Sequence, residues 1–253
     1  MSVARRMLRR RKRDATDLFE EEFALESLKS DRLRVSILIG AILSALLLVL
    51  ILVSVFFEEF QIAFHGNFRG FLLAVGIIFG FNLAYLTVER MAIDRLIRKR
   101  QKPFAALKYL SAFVETSIPT AGMIVGSMFL GPIYTLFTPA AFVYPLFISL
   151  SALRLNVRLC IFTGTVAGVE YTLLALYLIQ KGSTVGVEPI LSGAPHHLFK
   201  GFLLVLTGVV TGLVTRQIRK RILNSFSVVE ERNRISRTFG EYVSPEVMGK
   251  LMD

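Results

Sequence analysis

The sequence reads VSILIGAILSALLLVLILVSVFF from Val35 to Phe57, a run of 23 residues without a charged side chain. A helix needs about 20 apolar residues to cross the hydrocarbon core of a bilayer, which is ~30 Å thick. Inside hydrocarbon every backbone amide must be paired within the protein, so a run of this length forms a helix. The stretch therefore predicts a membrane-spanning helix and an all-α membrane protein.

Five more apolar runs of similar length follow in a chain that is 53% hydrophobic. The six predicted spans are 33–57, 69–88, 104–128, 133–153, 159–179 and 198–215. The third span contains Pro119, which we expect to bend the helix because membrane helices tolerate proline when neighbours satisfy the freed carbonyl. The alternative is that Pro119 ends the helix and 121–130 is re-entrant. The glycine-rich spans three to five, with Gly164 and Gly168 among their small residues, predict close helix packing.

The basic residues predict the orientation of the spans. With both termini on one side, 27 of the 30 Lys and Arg residues lie on that side. Basic residues stay on the cytoplasmic side of a membrane, so we expect a multi-pass protein of the cell inner (plasma) membrane with both termini cytoplasmic. Attraction to anionic lipid explains the net charge of +11 better than nucleic-acid binding does.

Residues 1–32 form a predicted cytoplasmic tail with two parts. A basic cluster covers 5–13, and an amphipathic helix follows, with Asp17 as its cap and Glu20 as the capping-box partner. This helix either lies on the bilayer surface or packs against the basic helix that follows span six.

The segment 216–240 is predicted to continue span six as a cytoplasmic helical stalk, because no Gly or Pro occurs between Thr215 and Gly240. Its heptad registers are weak, since many core positions are polar. We interpret the segment as a coiled-coil-like transducer of a homodimer with two nearly equal registers; a solvated helix is the alternative. The transducer positions are Ile218, Ile222, Val229, Asn233 and Phe239.

The next segment, 241–253, predicts a helix stop and a new helix start. Gly240 fits the stop, and Ser244 with Pro245 fits a cap followed by a first helical residue. This segment resembles the lead-in to the catalytic domain of bacterial class III adenylate cyclases, and Glu230–Phe239 is similar to the transducer of that family. The lead-in resemblance is carried by Phe239, Tyr242, Val243, Ser244, Pro245, Val247 and Leu251.

The resemblance implies a membrane receptor or regulatory module for an enzyme that converts ATP to cyclic AMP with two metal ions, Mg or Mn, at a dimer interface. The family's metal-binding aspartates follow the lead-in, whereas this sequence ends at Asp253. We therefore expect no catalytic residue and no cofactor in this chain, which would anchor, dimerise and regulate the cyclase. A six-span sensor for another output and a small transporter are the alternatives.

Two carboxyl groups inside the spans are candidate ligand sensors. Glu115 and Glu170 each lie about eleven residues into a span from its cytoplasmic end, which places them at similar depth. Together they could bind a cationic or lipophilic small molecule in one cavity. The alternative is that each carboxyl accepts hydrogen bonds from neighbouring hydroxyl groups such as those of Ser117 or Thr172.

A candidate metal site lies in the predicted outer loops, where His and Glu residues suit a transition metal such as zinc. A solvated loop is the alternative. The candidate ligands are Glu58, Glu59, His65, His196 and His197.

Overall fold

The computed structural model describes residues 2–64, 67–101, 104–182 and 193–242. The chain divides into two compact units, Met1–Thr215 and Arg216–Asp253. The described part contains eight α-helices, two 3₁₀ segments and no strand. These are α1 (Ser2–Val55), α2 (Phe57–Ala63), α3 (Phe68–Lys99), α4 (Ala105–Leu130), α5 (Pro132–Thr135), a 3₁₀ segment (Pro139–Phe142), α6 (Val143–Leu150), a second 3₁₀ segment (Ser151–Arg154), α7 (Val157–Lys181) and α8 (Ala194–Tyr242).

Among the described residues, six segments are long and apolar enough to cross a membrane, which confirms the all-α, six-span prediction. They are Glu22–Val55, Phe68–Lys99, Ala105–Leu130, Pro132–Arg154, Val157–Lys181 and Ala194–Ser225. Each overlaps one predicted span, and several extend past the apolar run because the helix continues into polar sequence.

The first helix is longer than predicted. It begins at Ser2, so Asp17 lies inside α1 and the prediction that it caps a separate helix is wrong. The sequence before Leu33 contains neither Gly nor Pro, so nothing interrupts the helix between the tail and the span. In the third span α4 continues through Pro119, so the alternative in which Pro119 ends the helix is wrong; α4 ends at Leu130 and is followed by Gly131, where φ is 89°.

The fourth span is not one continuous helix. It consists of α5, α6 and the two 3₁₀ segments. Pro132 and Pro139 begin short helical pieces, as expected for a residue that cannot donate a backbone hydrogen bond. Side chains satisfy part of the freed backbone: Thr135 Oγ1 donates to the Gly131 carbonyl at 3.0 Å, and Thr138 Oγ1 donates to the Thr135 carbonyl at 2.7 Å.

Two groups of buried apolar residues form the core of the first unit. One joins α1, α3 and α6, with Leu38, Leu86 and Phe147 among its members. The other surrounds α7 and includes Tyr144, Tyr171 and residues of α4 and α8. These two groups hold the polar side chains of the spans in fixed positions.

Helices α7 and α8 approach each other at glycine residues, as the small residues of span five predicted. A Cβ built on Gly164 would lie 2.5 Å from Gly208 Cα, and one on Gly168 would lie 2.7 Å from the Gly201 carbonyl oxygen. Both contacts are to backbone, which cannot give way. The first part of α8 is therefore packed directly on α7.

The second unit contains the last part of α8, which ends at Tyr242, two residues after the predicted stop at Gly240. Ile218 is 37% exposed, and Ile222 is half-buried. Of the other transducer positions, Val229, Asn233 and Phe239 are helical. The lead-in residues Val243, Ser244 and Pro245 lie outside the described ranges.

Candidate functional site

A buried ionic cluster lies between α1, α3, α4 and the second 3₁₀ segment. We define the ionic cluster as Asp31, Arg34, Glu89, Glu115 and Arg154. Arg34 and Arg154 are only 1% and 2% exposed. Charges this deep in a protein are tolerated only when they are paired and hydrogen-bonded. The hydrogen bonds of the cluster therefore explain why it can exist.

Arg34 is the centre of the ionic cluster, because its guanidinium group contacts three carboxyl groups on three helices. Arg34 Nε donates to Asp31 Oδ1 at 2.9 Å, one turn earlier on α1. Arg34 Nη2 donates to Glu89 Oε1 on α3, also at 2.9 Å. Arg34 Nη1 donates to Glu115 Oε2 on α4. The planar guanidinium fork thus ties α1, α3 and α4 together.

Arg154 brings the second 3₁₀ segment into the ionic cluster. Arg154 Nη2 donates to Glu115 Oε1 at 2.9 Å and lies 3.0 Å from Ser111 Oγ. Arg154 Nη1 donates to the Lys108 carbonyl at 2.7 Å. Both oxygen atoms of Glu115 therefore accept hydrogen bonds from guanidinium groups.

Sequence reasoning treated Arg34 and Arg154 as charges at the ends of spans and missed their pairing with Glu115. The sequence did contain one signal that Glu89 and Glu115 lie close together. Glu89 and Glu115 each lie 13 positions from Lys102, in the short connection between spans two and three. Antiparallel helices joined by a short loop bring residues equally far from the loop to the same level. The spacing could have predicted that these two carboxyl groups meet.

A second polar network surrounds Glu170 on α7. Ser117 Oγ donates to Glu170 Oε1 at 2.6 Å, and Thr120 Oγ1 donates to Glu170 Oε2. Thr120 Oγ1 also lies 2.6 Å from the Tyr144 hydroxyl. Because Thr120 has a single hydroxyl hydrogen, Tyr144 is the donor when Thr120 donates to Glu170. The network joins α4, α6 and α7.

Glu115 and Glu170 thus have different partners. Glu115 accepts from two guanidinium groups, whereas Glu170 accepts from two hydroxyl groups. In the structure Glu170 accepts hydrogen bonds from hydroxyl groups, which was the alternative to a ligand-sensing role, and one of them is the Ser117 hydroxyl that the sequence suggested. The sequence had not identified Thr120 and Tyr144. That the two carboxyl groups line one ligand cavity stays a prediction.

His197 connects α8 to α7 next to the Glu170 network. His197 is fully buried, and its Nδ1 atom lies 2.8 Å from the Tyr171 hydroxyl. The Tyr171 ring in turn contacts Tyr144 edge to face, with ring centroids 6.2 Å apart. The His197–Tyr171 bond gives the start of α8 a direct polar link to the helix that carries Glu170.

Replacing Tyr171 with phenylalanine is expected to lower the free energy of unfolding by about 1–3 kcal/mol, because it removes a buried hydrogen bond while keeping the ring. Tyr177→Phe on the same helix is the matched control: this ring is half exposed, and its contact with the Lys181 ammonium, 4.8 Å from the ring centroid, survives the change. Denaturant titration in mixed micelles measures both variants. Equal losses would contradict a structural role for the Tyr171–His197 bond.

The predicted metal ligands are distributed over different parts of the structure. Glu58 and Glu59 are exposed on α2, His196 is half-buried at the start of α8, and His197 is bonded to Tyr171. His65 lies outside the described residues. In the part of the chain that the structure describes, no group of three or more His, Cys, Asp or Glu side chains could hold a metal ion.

Comparisons with known proteins add no family: no family model matches this chain, and neither a curated protein nor a solved structure is significantly similar to it.

Proposed function

We propose that this chain is the membrane anchor, dimerisation element and receptor-like regulatory module of a class III adenylate cyclase. The observation that carries the proposal is the extent of α8, which begins at Ala194 in the sixth span and ends at Tyr242, inside the residues that resemble the cyclase lead-in. An uninterrupted helix passes a rotation or shift from one end to the other. The lead-in would then deliver that movement to a catalytic domain.

The chemistry itself belongs to the cyclase domain. In the family that the lead-in resembles, ATP is converted to cyclic AMP with two metal ions at the interface of a dimer. No residue of this chain is assigned to that reaction or to its Mg or Mn ions. The role of this chain is to hold two catalytic domains together and to bias their arrangement, and a bound ligand does so through different affinities for the two states.

The proposed setting is the cell inner membrane, with both termini in the cytoplasm and two copies of the chain in a homodimer. The distribution of basic residues supports the orientation. The ionic cluster agrees with it, because Arg34, Lys108 and Arg154 come from span ends that were all expected on one side, and they lie together.

Glu170 is the better of the two candidate ligand-binding carboxyl groups. Both oxygens of Glu115 are occupied by guanidinium groups, whereas the partners of Glu170 are hydroxyl groups, which can release it without leaving a buried cation unpaired. A cationic or lipophilic amine is the ligand class that a half-buried carboxyl within the spans would take.

A small transporter is the second candidate, and one observation favours it. The fourth span is broken into short helical pieces around Pro132 and Pro139, and discontinuous helices are typical of transporter binding sites. The same experiment separates the two proposals, because a transporter has no reason to control an enzyme fused to α8.

Fusing this chain to the catalytic domain of a class III adenylate cyclase tests the proposed function. We expect more cyclic AMP than from the same amount of the isolated catalytic domain, because the anchor brings two domains together. Inserting two residues after Ser225 should change the output at least several-fold, since it rotates the rest of α8 by about 200° relative to the sixth span. Inserting seven residues changes the phase by only about 20° and should restore the output.

The insertion pair is its own matched control, because both variants lengthen the stalk. Equal cyclic AMP production from both insertions, with surface expression matched by immunoblot, would show that the helix phase carries no signal. Production no higher than that of the isolated catalytic domain would contradict the dimerisation proposal.

A further inference from the structure

Two carboxyl groups of the ionic cluster lie close together. Glu89 on α3 and Glu115 on α4 share two neighbours: Arg34 donates to both carboxyl groups, and Ser111 Oγ lies 2.6 Å from Glu89 Oε1 and 3.0 Å from Glu115 Oε1. Ionised carboxylates are acceptors only, so neither can act as a donor without a proton. We propose that the Glu89–Glu115 pair is a proton-binding site, with one proton held on Glu89.

The donors around the pair decide which carboxyl holds the proton. Both oxygens of Glu115 accept N–H groups of guanidinium ions, from Arg34 and from Arg154. Charge-assisted bonds of this kind favour the ionised form. Glu89 accepts at Oε1 only, from Arg34 Nη2 at 2.9 Å and from Ser111 Oγ at 2.6 Å.

The second oxygen of Glu89 supports the same assignment. Glu89 Oε2 is buried, and among the described residues no donor reaches it. A buried carboxylate oxygen without a donor is unfavourable, whereas a protonated oxygen at this position carries its own hydrogen and is itself a donor. The proton therefore satisfies the one atom of the pair that the protein leaves without a donor.

The other polar groups around Glu89 do not replace the proton. Tyr85, also on α3, contributes a neutral hydroxyl group close to Ser111. The charges beyond the guanidinium groups are those of Asp31, which is bonded to Arg34, and Lys108, whose Nζ lies 3.5 Å from Ser27 Oγ. Ser111 has one hydroxyl hydrogen for two acceptors, Glu89 Oε1 at 2.6 Å and Glu115 Oε1 at 3.0 Å.

Loss of the proton changes the contact between α3 and α4. Two ionised carboxylates that share the same neighbours repel each other strongly where water is excluded. The pair then separates, and the helices move with it as far as Arg34 allows. The site thus makes the α3–α4 contact respond to pH, independently of the domain to which α8 leads.

Infrared spectroscopy of the purified protein in lipid nanodiscs tests the site. A buried protonated carboxyl gives a carbonyl-stretching band that shifts in D₂O and disappears when the pH is raised. We expect this band at neutral pH in the native protein and in Glu170→Gln, the matched control within the spans. It should be lost in Glu89→Gln, which mimics the protonated acid, and in Glu115→Gln, which leaves Glu89 ionised against Arg34.

The two variants of the pair also differ in stability. Glu89→Gln should melt within a few degrees of the native protein, because an amide can make the same bonds as the protonated acid. Glu115→Gln should melt well below it, because two buried guanidinium groups lose their carboxylate. The proposal is overturned by a band that persists in folded Glu89→Gln. If that variant does not fold, absence of the band from Glu170→Gln at neutral pH overturns it equally.

Discussion

Replacing Arg34 with alanine is expected to lower the free energy of unfolding by about 3–5 kcal/mol, the usual loss when one partner of a buried ion pair is removed. The reason is the number of carboxyl groups that depend on this side chain. Asp31, Glu89 and Glu115 all accept from its guanidinium, and their side chains are 8%, 14% and 6% exposed. Without Arg34 they would face one another in a site closed to water.

Arg32→Ala is the matched control, two residues away on the same helix. Arg32 pairs with Asp94 at 3.5 Å, and both side chains are exposed by a third or more. An exposed pair of this kind contributes about 0–1 kcal/mol. Denaturant titration in mixed micelles compares the two variants. If Arg34→Ala lost no more stability than Arg32→Ala, the ionic cluster would not hold α1, α3 and α4 together.

Arg34→Lys distinguishes charge from geometry. Lysine keeps the positive charge but has no planar fork that reaches three carboxyl groups at once. We therefore expect this variant to fall between native protein and Arg34→Ala. Recovery of full stability would mean that only the charge matters.

The membrane fold could be predicted from the sequence because each span is marked by its own apolar run. The signal is local: the run from Val35 to Phe57 forms a helix whatever the rest of the chain does. The predicted helix start at Asp17 was wrong for a related reason. A residue such as Asp17, which often caps a helix start, begins no new helix when the sequence on both sides of it favours a helix.

The ionic cluster could not be derived in the same way, because it depends on residues 81 positions apart, Arg34 and Glu115. Counting Arg34 among the basic residues of a span end predicted an orientation but not the partner of Arg34. The position of Glu115 inside a span did indicate a functional or paired carboxyl. Tertiary packing decides that this carboxyl is paired, because it brings Arg34, Arg154 and Ser111 to Glu115.

Glycine at position 208 decides how closely α8 packs on α7 in the first unit. A Cβ at Gly208 would lie 2.7 Å from Gly164 Cα and 2.9 Å from the Cys160 carbonyl oxygen. Both atoms belong to the α7 backbone, so Gly208→Ala must push α8 away from α7. We expect the free energy of unfolding to fall by about 1–3 kcal/mol, the usual effect of overpacking.

Gly76→Ala on α3 is the matched control, because nothing lies within 4 Å of a Cβ built there. Alanine favours a helix over glycine by up to about 1 kcal/mol, so this variant should be neutral or more stable. In the cyclase fusion, Gly208→Ala should also change basal cyclic AMP production, because the catalytic domain is attached through α8, whereas Gly76→Ala should leave it unchanged. A Gly208→Ala variant that matched Gly76→Ala in both stability and cyclic AMP production would mean that the contact between α7 and α8 neither holds the fold nor sets the position of α8.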